Sequence, residues 1–289
     1  MKYAVIAPVA AGVTADPDWM VDWAQHVEAC GFESLVVVEH TVVVHDYTST
    51  YPYDPSGKVG LDADCDVPDP LQLLAFLAGQ THTIGLATGV LVLPNHHPVA
   101  LAKRLATLDV LSRGRLRLCV GMGWMQEEVE ACGAPFRERG RRADEQLTVL
   151  RKLWTGEAVT HDGEFFSFAR AVSRPVPTRQ IPVHIGGHSE AAARRAGRLG
   201  DGLQPLGVVG ERLSELVALM HDSAEQVGRD PSALELTLGH LVGRITSEKA
   251  GSLGALGAHR IVLDPSPTAD LTEAKDELSA CAQRLGLRS

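Results

Sequence analysis

The sequence predicts an α/β chain folded as one (β/α)8 TIM barrel over residues 1–289, on three observations. Short β-branched runs alternate with longer helical patterns from end to end, the signature of parallel βαβ construction. The runs are continuously apolar, as expected of strands covered on both faces. There are about eight of them, the number that closes a barrel. They are Tyr3 to Val9, Leu35 to Val38, Ile84 to Leu93, Leu116 to Val120, Val183 to Ile185, Gly202 to Leu206, Leu234 to Leu241 and Arg260 to Leu263. With 45% hydrophobic and 22% charged residues, the chain has the apolar material for such a core.

The helices carry their own start signals. Asp16-Pro17 and Asp69-Pro70 each set a capping carboxylate before a proline at the first helical position, where a missing N–H is harmless. The first helix then buries Met20, Trp23 and Val27 and stops at Gly31. Leu101, Leu105 and Leu108 repeat this spacing after Pro98, as do Leu213, Leu216, Met220 and Val227 before Gly228. Leu271, Ala274, Leu278, Cys281 and Leu285 form the last helix, closed by Gly286.

Two segments break the rhythm. Residues 41–68 are a polar stretch of aromatic and turn residues, long enough to be read as a lid. Residues 158–171 place Asp162-Gly163 between Val159 and Phe166, which predicts a small hairpin outside the barrel. Between Ile245 and His259 there is room only for a short helix or a loop, so closure is least specified there.

Composition excludes several function classes. A net charge of −9 without a basic stripe disfavours nucleic acid as a partner. No apolar run approaches the roughly 20 residues that span a bilayer, and the first residues read as a strand and lack a cleavage region, so a cytoplasmic protein is expected. The five cysteines form no C-x-x-C pair and fit reduced thiols, with Cys65, in a polar loop, the one to test for reactivity. His96-His97 precede a helix without a third ligand in sight, and the remaining histidines form no H-x-H or H-x-x-x-H pair, so no metal is expected.

Sites on such a barrel form at the carboxyl ends of the strands. The second strand ends in Glu39-His40. A histidine there suits a general base or a partner for a hydroxyl being oxidised, or it simply anchors the loop. The third ends around Thr88-Gly89-Val90, where glycine in an apolar strand marks a bulge or a close approach. The fourth runs into Gly121-Met122-Gly123-Trp124 before a helix opened by Gln126-Glu127-Glu128. Its glycines leave backbone N–H groups free for an anion. The fifth ends in Gly186-Gly187-His188-Ser189, with Ser189 capping a helix from Glu190 to Leu199. This is the best phosphate cradle in the chain, or else a tight turn that needs glycine.

Four stretches carry a family resemblance. They are SLVVVEHTVV with a later YPY, IGLATGVLVLPNHHPVALAKRLATLDVLSRGRLRLCVGMGWMQEEVEACG, LRKLWTGEAVTHDGEFFSF and IPVHIGGHSEAAARRAGRLGDG. Together they resemble the luciferase-like monooxygenase superfamily, in the branch of oxidoreductases dependent on coenzyme F420, and they cover most of residues 1–206.

The resemblance implies a cofactor ring over the strand ends, with the backbone near Gly89-Val90 bulging against it, often through a non-proline cis peptide. The cofactor phosphate is carried over to Gly121 and Gly123 on one side and Gly186, Gly187 and Ser189 on the other. Thr88, Met122, Trp124 and His188 flank these positions, and His40 matches the family's active-site histidine. Members that oxidise sugar phosphates have an acidic proton donor after the second glycine of the fourth-strand motif. This chain has Trp124 there, which leaves Glu39 or Glu127 as substitutes.

The expected function is hydride transfer between F420, a deazaflavin, and a small organic substrate beneath the 41–68 loop, with His40 as base. FMN is the alternative cofactor, in a luciferase-like monooxygenase. A non-catalytic cofactor-binding protein and a metal-dependent barrel hydrolase are the remaining classes. A homodimer is expected from the resemblance alone.

Overall fold

Two-residue alternation along short parallel strands sorts the side chains of this protein into an outer layer and a lumen. The computed structural model describes residues 1–287. The strands are β1 (Lys2–Ile6), β2 (Ser34–Val37), β3 (Gly85–Thr88), β4 (Leu91–Val92), β5 (Leu116–Gly121), β6 (Val159–Asp162), β7 (Ser167–Ala171), β8 (Val183–Gly186), β9 (Gly202–Gln204), β10 (Glu235–Leu241) and β11 (Ala258–Asp264). The order β3-β2-β1-β11-β10-β9-β8-β5 is closed by a further β3–β5 pairing, and every pairing in it is parallel. These eight strands form the predicted barrel. Strands β6 and β7 pair antiparallel in a separate sheet, the hairpin expected over residues 158–171.

Outward residues such as Val5, Leu35, Leu86, Leu118, Ile185, Leu238 and Ile261 join the main core under the helices. Each such fully buried aliphatic side chain contributes about 1.5–3 kcal/mol relative to exposure. Inward residues Ala4, Val36, Ala87 and Val262 form a separate, small-residue layer in the lumen.

The helices are α1 (Pro17–Ala29), α2 (Pro70–Ala78), α3 (Pro98–Leu111), α4 (Gln126–Ala131), α5 (Arg139–Leu153), α6 (Glu190–Leu199), α7 (Gly210–Glu225), α8 (Ser247–Ala255) and α9 (Leu271–Leu285). Asp16 and Asp69 cap α1 and α2 as their Asp-Pro signals predict, and Ser189 caps α6 by accepting from Ala192 N–H.

Three points of the sequence reading are sharpened or corrected. The apolar run from Ile84 to Leu93 is not one strand: it breaks at Gly89-Val90, whose peptide is cis, and β4 resumes the pairing with Leu91 opposite Val120. Of the short helix or loop expected between Ile245 and His259, the structure has the helix, α8, because the Thr246 hydroxyl accepts from Lys249 N–H and Ala250 and Leu253 are buried beneath it. The Cys65 thiol is not activated; burial, with Asp66 and Asp62 nearby, pushes it up.

Candidate active site

At the carboxyl ends of the strands, glycine makes room for one side chain. A Cβ placed on Gly121 would stand 2.6 Å from Val90 Cγ2, and one on Gly186 would stand 2.5 Å from Val90 Cγ1. Gly89 itself lies under β2, where a Cβ would meet Val36 Cγ1 at 2.2 Å. The isopropyl group of Val90 is thus wedged between the ends of β5 and β8, and these three positions exclude any larger residue. Thr88 lies below this wedge, fully buried, with its hydroxyl donating to Cys119 O at 2.7 Å and accepting from Cys119 N–H.

Around Val90 the mouth is half-buried: His40, Gly89, Met122, Gly123, Trp124, Gly186, Gly187 and His188 all keep part of their surface accessible. Gly123 and Gly187 adopt positive φ, +78° and +124°, conformations that favour glycine, so both turns bend as the sequence requires. Ser189 opens α6, whose first-turn N–H groups project toward this rim.

Glu39 and His40 follow the end of β2 and do two different things. The carboxylate of Glu39, 6% exposed, accepts from Val92 N–H at 2.5 Å and lies 2.8 Å from His96 Nε2. It therefore ties β4, just past the Val90 wedge, to the start of α3. His40 Nδ1 lies 3.1 Å from Glu128 Oε2, while Glu128 Oε1 accepts from Thr41 N–H at 2.6 Å. Glu128 is 1% exposed, so a buried carboxylate fixes both the ring and the backbone that carries it. This assigns the proton on Nδ1 and leaves Nε2 as the acceptor nitrogen.

The sequence reading assigned Glu128 no role of its own. Its signal was present: Met125, Glu128, Val129 and Cys132 share one face of a helix, and a lone carboxylate on that face needs a partner. Glu127, one residue earlier, belongs to the lid. Its carboxylate accepts from both the backbone and the hydroxyl of Thr48 and of Ser49. The Ser49 hydroxyl bond, with those from Thr48, holds this carboxyl down at about 2 against an opposing push from burial. Ser49 Oγ also accepts from Gln126 N–H, so the lid caps α4.

Aromatic contacts seat the lid over the mouth. Tyr47 and Tyr51 pack edge-on against Trp124 with centroids 5.2 and 5.1 Å away, and His40 meets the same indole at 6.0 Å. Tyr53 packs on His188 at 5.1 Å. Tyr53 keeps 39% of its surface exposed, yet burial, with Tyr51 and Cys119 nearby, pushes its phenol up to about 12.

The structure thus brings His40, Val90, Gly121–Trp124 and Gly186–Ser189 to one rim, and it puts Glu39 and Glu127 into supporting bonds. Among the described residues no group of three or more His, Cys, Asp or Glu side chains could hold a metal, and no helix is long and apolar enough to cross a membrane. A half-buried rim with two positive-φ glycine turns, a helix start and an apolar wedge suits a planar ring with an anionic tail.

Fold and rim together describe an α/β barrel with a candidate site at the carboxyl ends of its strands. Residues 1–250 match the family described as luciferase-like monooxygenase, and the chain belongs to that family, as an enzyme of the oxidoreductase and monooxygenase class. It is 32% identical over 214 residues to an uncharacterized protein of Mycobacterium tuberculosis, covering 74% of each chain. It is 30% identical to the F420-dependent glucose-6-phosphate dehydrogenase of Segniliparus rotundus, over 76% of this chain and 63% of that one. Among solved structures, an F420-dependent secondary alcohol dehydrogenase in complex with an F420-acetone adduct superposes with a TM-score of 0.78 at 16% identity, over 98% of both chains, a likeness of fold.

Proposed function

We propose that this protein transfers a hydride between coenzyme F420 and a small organic alcohol or carbonyl compound beneath the lid. The observation that carries the proposal is the His40–Glu128 pair beside the Val90 wedge, a proton acceptor of fixed tautomer on the half-buried rim. Gly121, Met122, Gly123, Gly89, Val90 and Trp124 would form the floor and one side of the cofactor site, while Thr88, expected from the sequence to touch the cofactor, is fully buried under Val90 and would only support it from below. Gly186, Gly187, His188 and Ser189 would hold its phosphate. When bound, the cofactor supplies a two-electron hydride acceptor or donor.

The chain's own residues do the rest. His40 Nε2 takes the proton from the substrate hydroxyl as the carbon beside it loses hydride, and returns it in the reverse direction. Glu128, hydrogen-bonded to Nδ1, stabilises the imidazolium that forms. Glu39 keeps the rim in register by holding Val92, and the tyrosines seated on Trp124 and His188 exclude water when the lid is closed.

Trp124 favours one other reading. It stands where sugar-phosphate-oxidising members have an acid, and it makes the rim aromatic, as suits an FMN-dependent monooxygenase. Anaerobic assays of F420 absorbance with a panel of secondary alcohols, run beside oxygen uptake with reduced FMN, separate the two. Alcohol-dependent F420 reduction is expected. Oxygen consumption with reduced FMN and no F420 turnover would replace this reading by the second, and neither activity would overturn both.

A further inference from the structure

At the opposite end of the barrel the lumen is charged. Lys2, Arg117, His184, Glu235 and Arg260 lie near the amino ends of β1, β5, β8, β10 and β11, and with Glu33 and Ser34 they border a cavity of about 310 Å3. The buried small-residue layer of Ala4, Val36, Ala87 and Val262 lies further along the strands toward the mouth, with Ala4 and Val262 one inward step beyond Lys2 and Arg260.

The charges here do not balance. Arg260 donates to both oxygens of Glu33 and to Glu235, and Lys2 also donates to Glu235. Asp201, at the cavity edge, is already bonded by Arg151 and Arg229. Arg117 is the exception. It is 6% exposed and its one hydrogen bond runs from Nη2 to Ser34 Oγ at 3.4 Å. Its Nε and Nη1 have no partner among the described residues.

Counting the cavity's lining side chains, Lys2, Arg115, Arg117, Arg179 and Arg260 stand against Glu33, Asp201 and Glu235, five positive against three negative. This local excess sits in a chain whose net charge is −9. Burial and the neighbouring Arg260 lower the Arg117 guanidinium only to about 10, so it stays charged at neutral pH. Burial, then Arg117 and Arg260, push His184 down to about 3, so it offers no compensating or added charge. Gly202 lets β9 pack closely on β10 and the His184 ring: a Cβ there would lie 2.4 Å from Glu235 O and 3.0 Å from the ring.

A buried guanidinium with open donors is costly unless an acceptor meets it, and an anion does so with charge as well as hydrogen bonds. We propose that the cavity at the amino-terminal end of the barrel binds a small oxyanion of the phosphate or sulfate type, with Arg117 as its principal ligand and Arg260 as the second positive group. The site is separate from the strand-end rim and stands whatever reaction that rim performs. Bound there, the anion acts as the counter-ion that completes the lower lumen.

The test is thermal unfolding and titration calorimetry of the full chain with inorganic phosphate and sulfate, against sodium chloride at equal ionic strength. The wild type should show a saturable rise in Tm beyond the chloride control, and Arg117→Met should show none. Arg117→Lys keeps the charge but loses the guanidinium donors, so its affinity should fall about tenfold or more, which also covers the case in which Arg117→Met fails to fold. A wild-type response no larger than that to chloride would overturn the proposal. So would an Arg117→Met response equal to the wild type's, or unchanged affinity in Arg117→Lys.

Discussion

His40→Gln lowers kcat about 100- to 10,000-fold, the usual worth of a positioned general base, while cofactor binding stays close to wild type. The two readouts separate because His40 is held by Glu128 and packs on Trp124, whereas in the proposed site the glycine turns, not His40, would grip the cofactor. Glutamine can still bond the buried Glu128 but cannot take a proton. Glu128→Gln, by contrast, leaves the imidazole in place without a carboxylate to stabilise its protonated form, so it also lowers kcat more than it changes KM. Unchanged kcat in His40→Gln would remove this histidine from the chemistry and return it to the role of loop anchor.

Gly121→Ala destabilises the fold by about 1–3 kcal/mol, the cost of overpacking a filled site, and weakens cofactor binding at the same time. The new methyl group would arrive 2.6 Å from Val90 Cγ2, and β5 cannot retreat because Leu118, Cys119 and Val120 hold it to β8. Val90 must therefore shift into the mouth. Combining the change with Val90→Ala removes the clash, so the double variant should regain most of the lost stability. Non-additivity of this kind is what contact between the two side chains predicts. Thermal unfolding and cofactor titration of the three variants check it; a Gly121→Ala protein as stable and as tight-binding as the wild type would mean that the wedge is not packed as described.

These two sites show why the barrel was easier to read than its mouth. Strand identity rests on runs such as Leu116–Val120 and Arg260–Leu263, whose apolar character is forced by helices on one side and a packed lumen on the other. Helix starts at Asp16 and Asp69 are local capping chemistry and need no tertiary knowledge. The element named with least support, α8, depended on its own Thr246 cap and on Leu253 finding cover. Helix α5 is hard to read from local sequence, because its exposed arginines mask the buried face of Ala143, Leu147 and Leu150.

At the site, residue type was legible and partnership was not. Gly121 and Gly186 read as an anion cradle; nothing local said that Val90, about 30 residues before the first and nearly 100 before the second, would press on both. Glu39 and Glu127 read as spare acids for the position held by Trp124. The fold instead commits Glu39 to Val92 and His96, and Glu127 to the lid residues Thr48 and Ser49. Such bonds join residues about 53 and 79 positions apart, and only the barrel's closure sets them side by side.

Equilibrium titration of the purified protein with F420 and with FMN in parallel asks whether the rim around Val90 holds a flavin-type ring by two glycine turns. Fluorescence and absorbance should report saturable binding of one equivalent per chain, tighter for F420. Failure of both cofactors to bind would mean that the rim is not a flavin-type cradle.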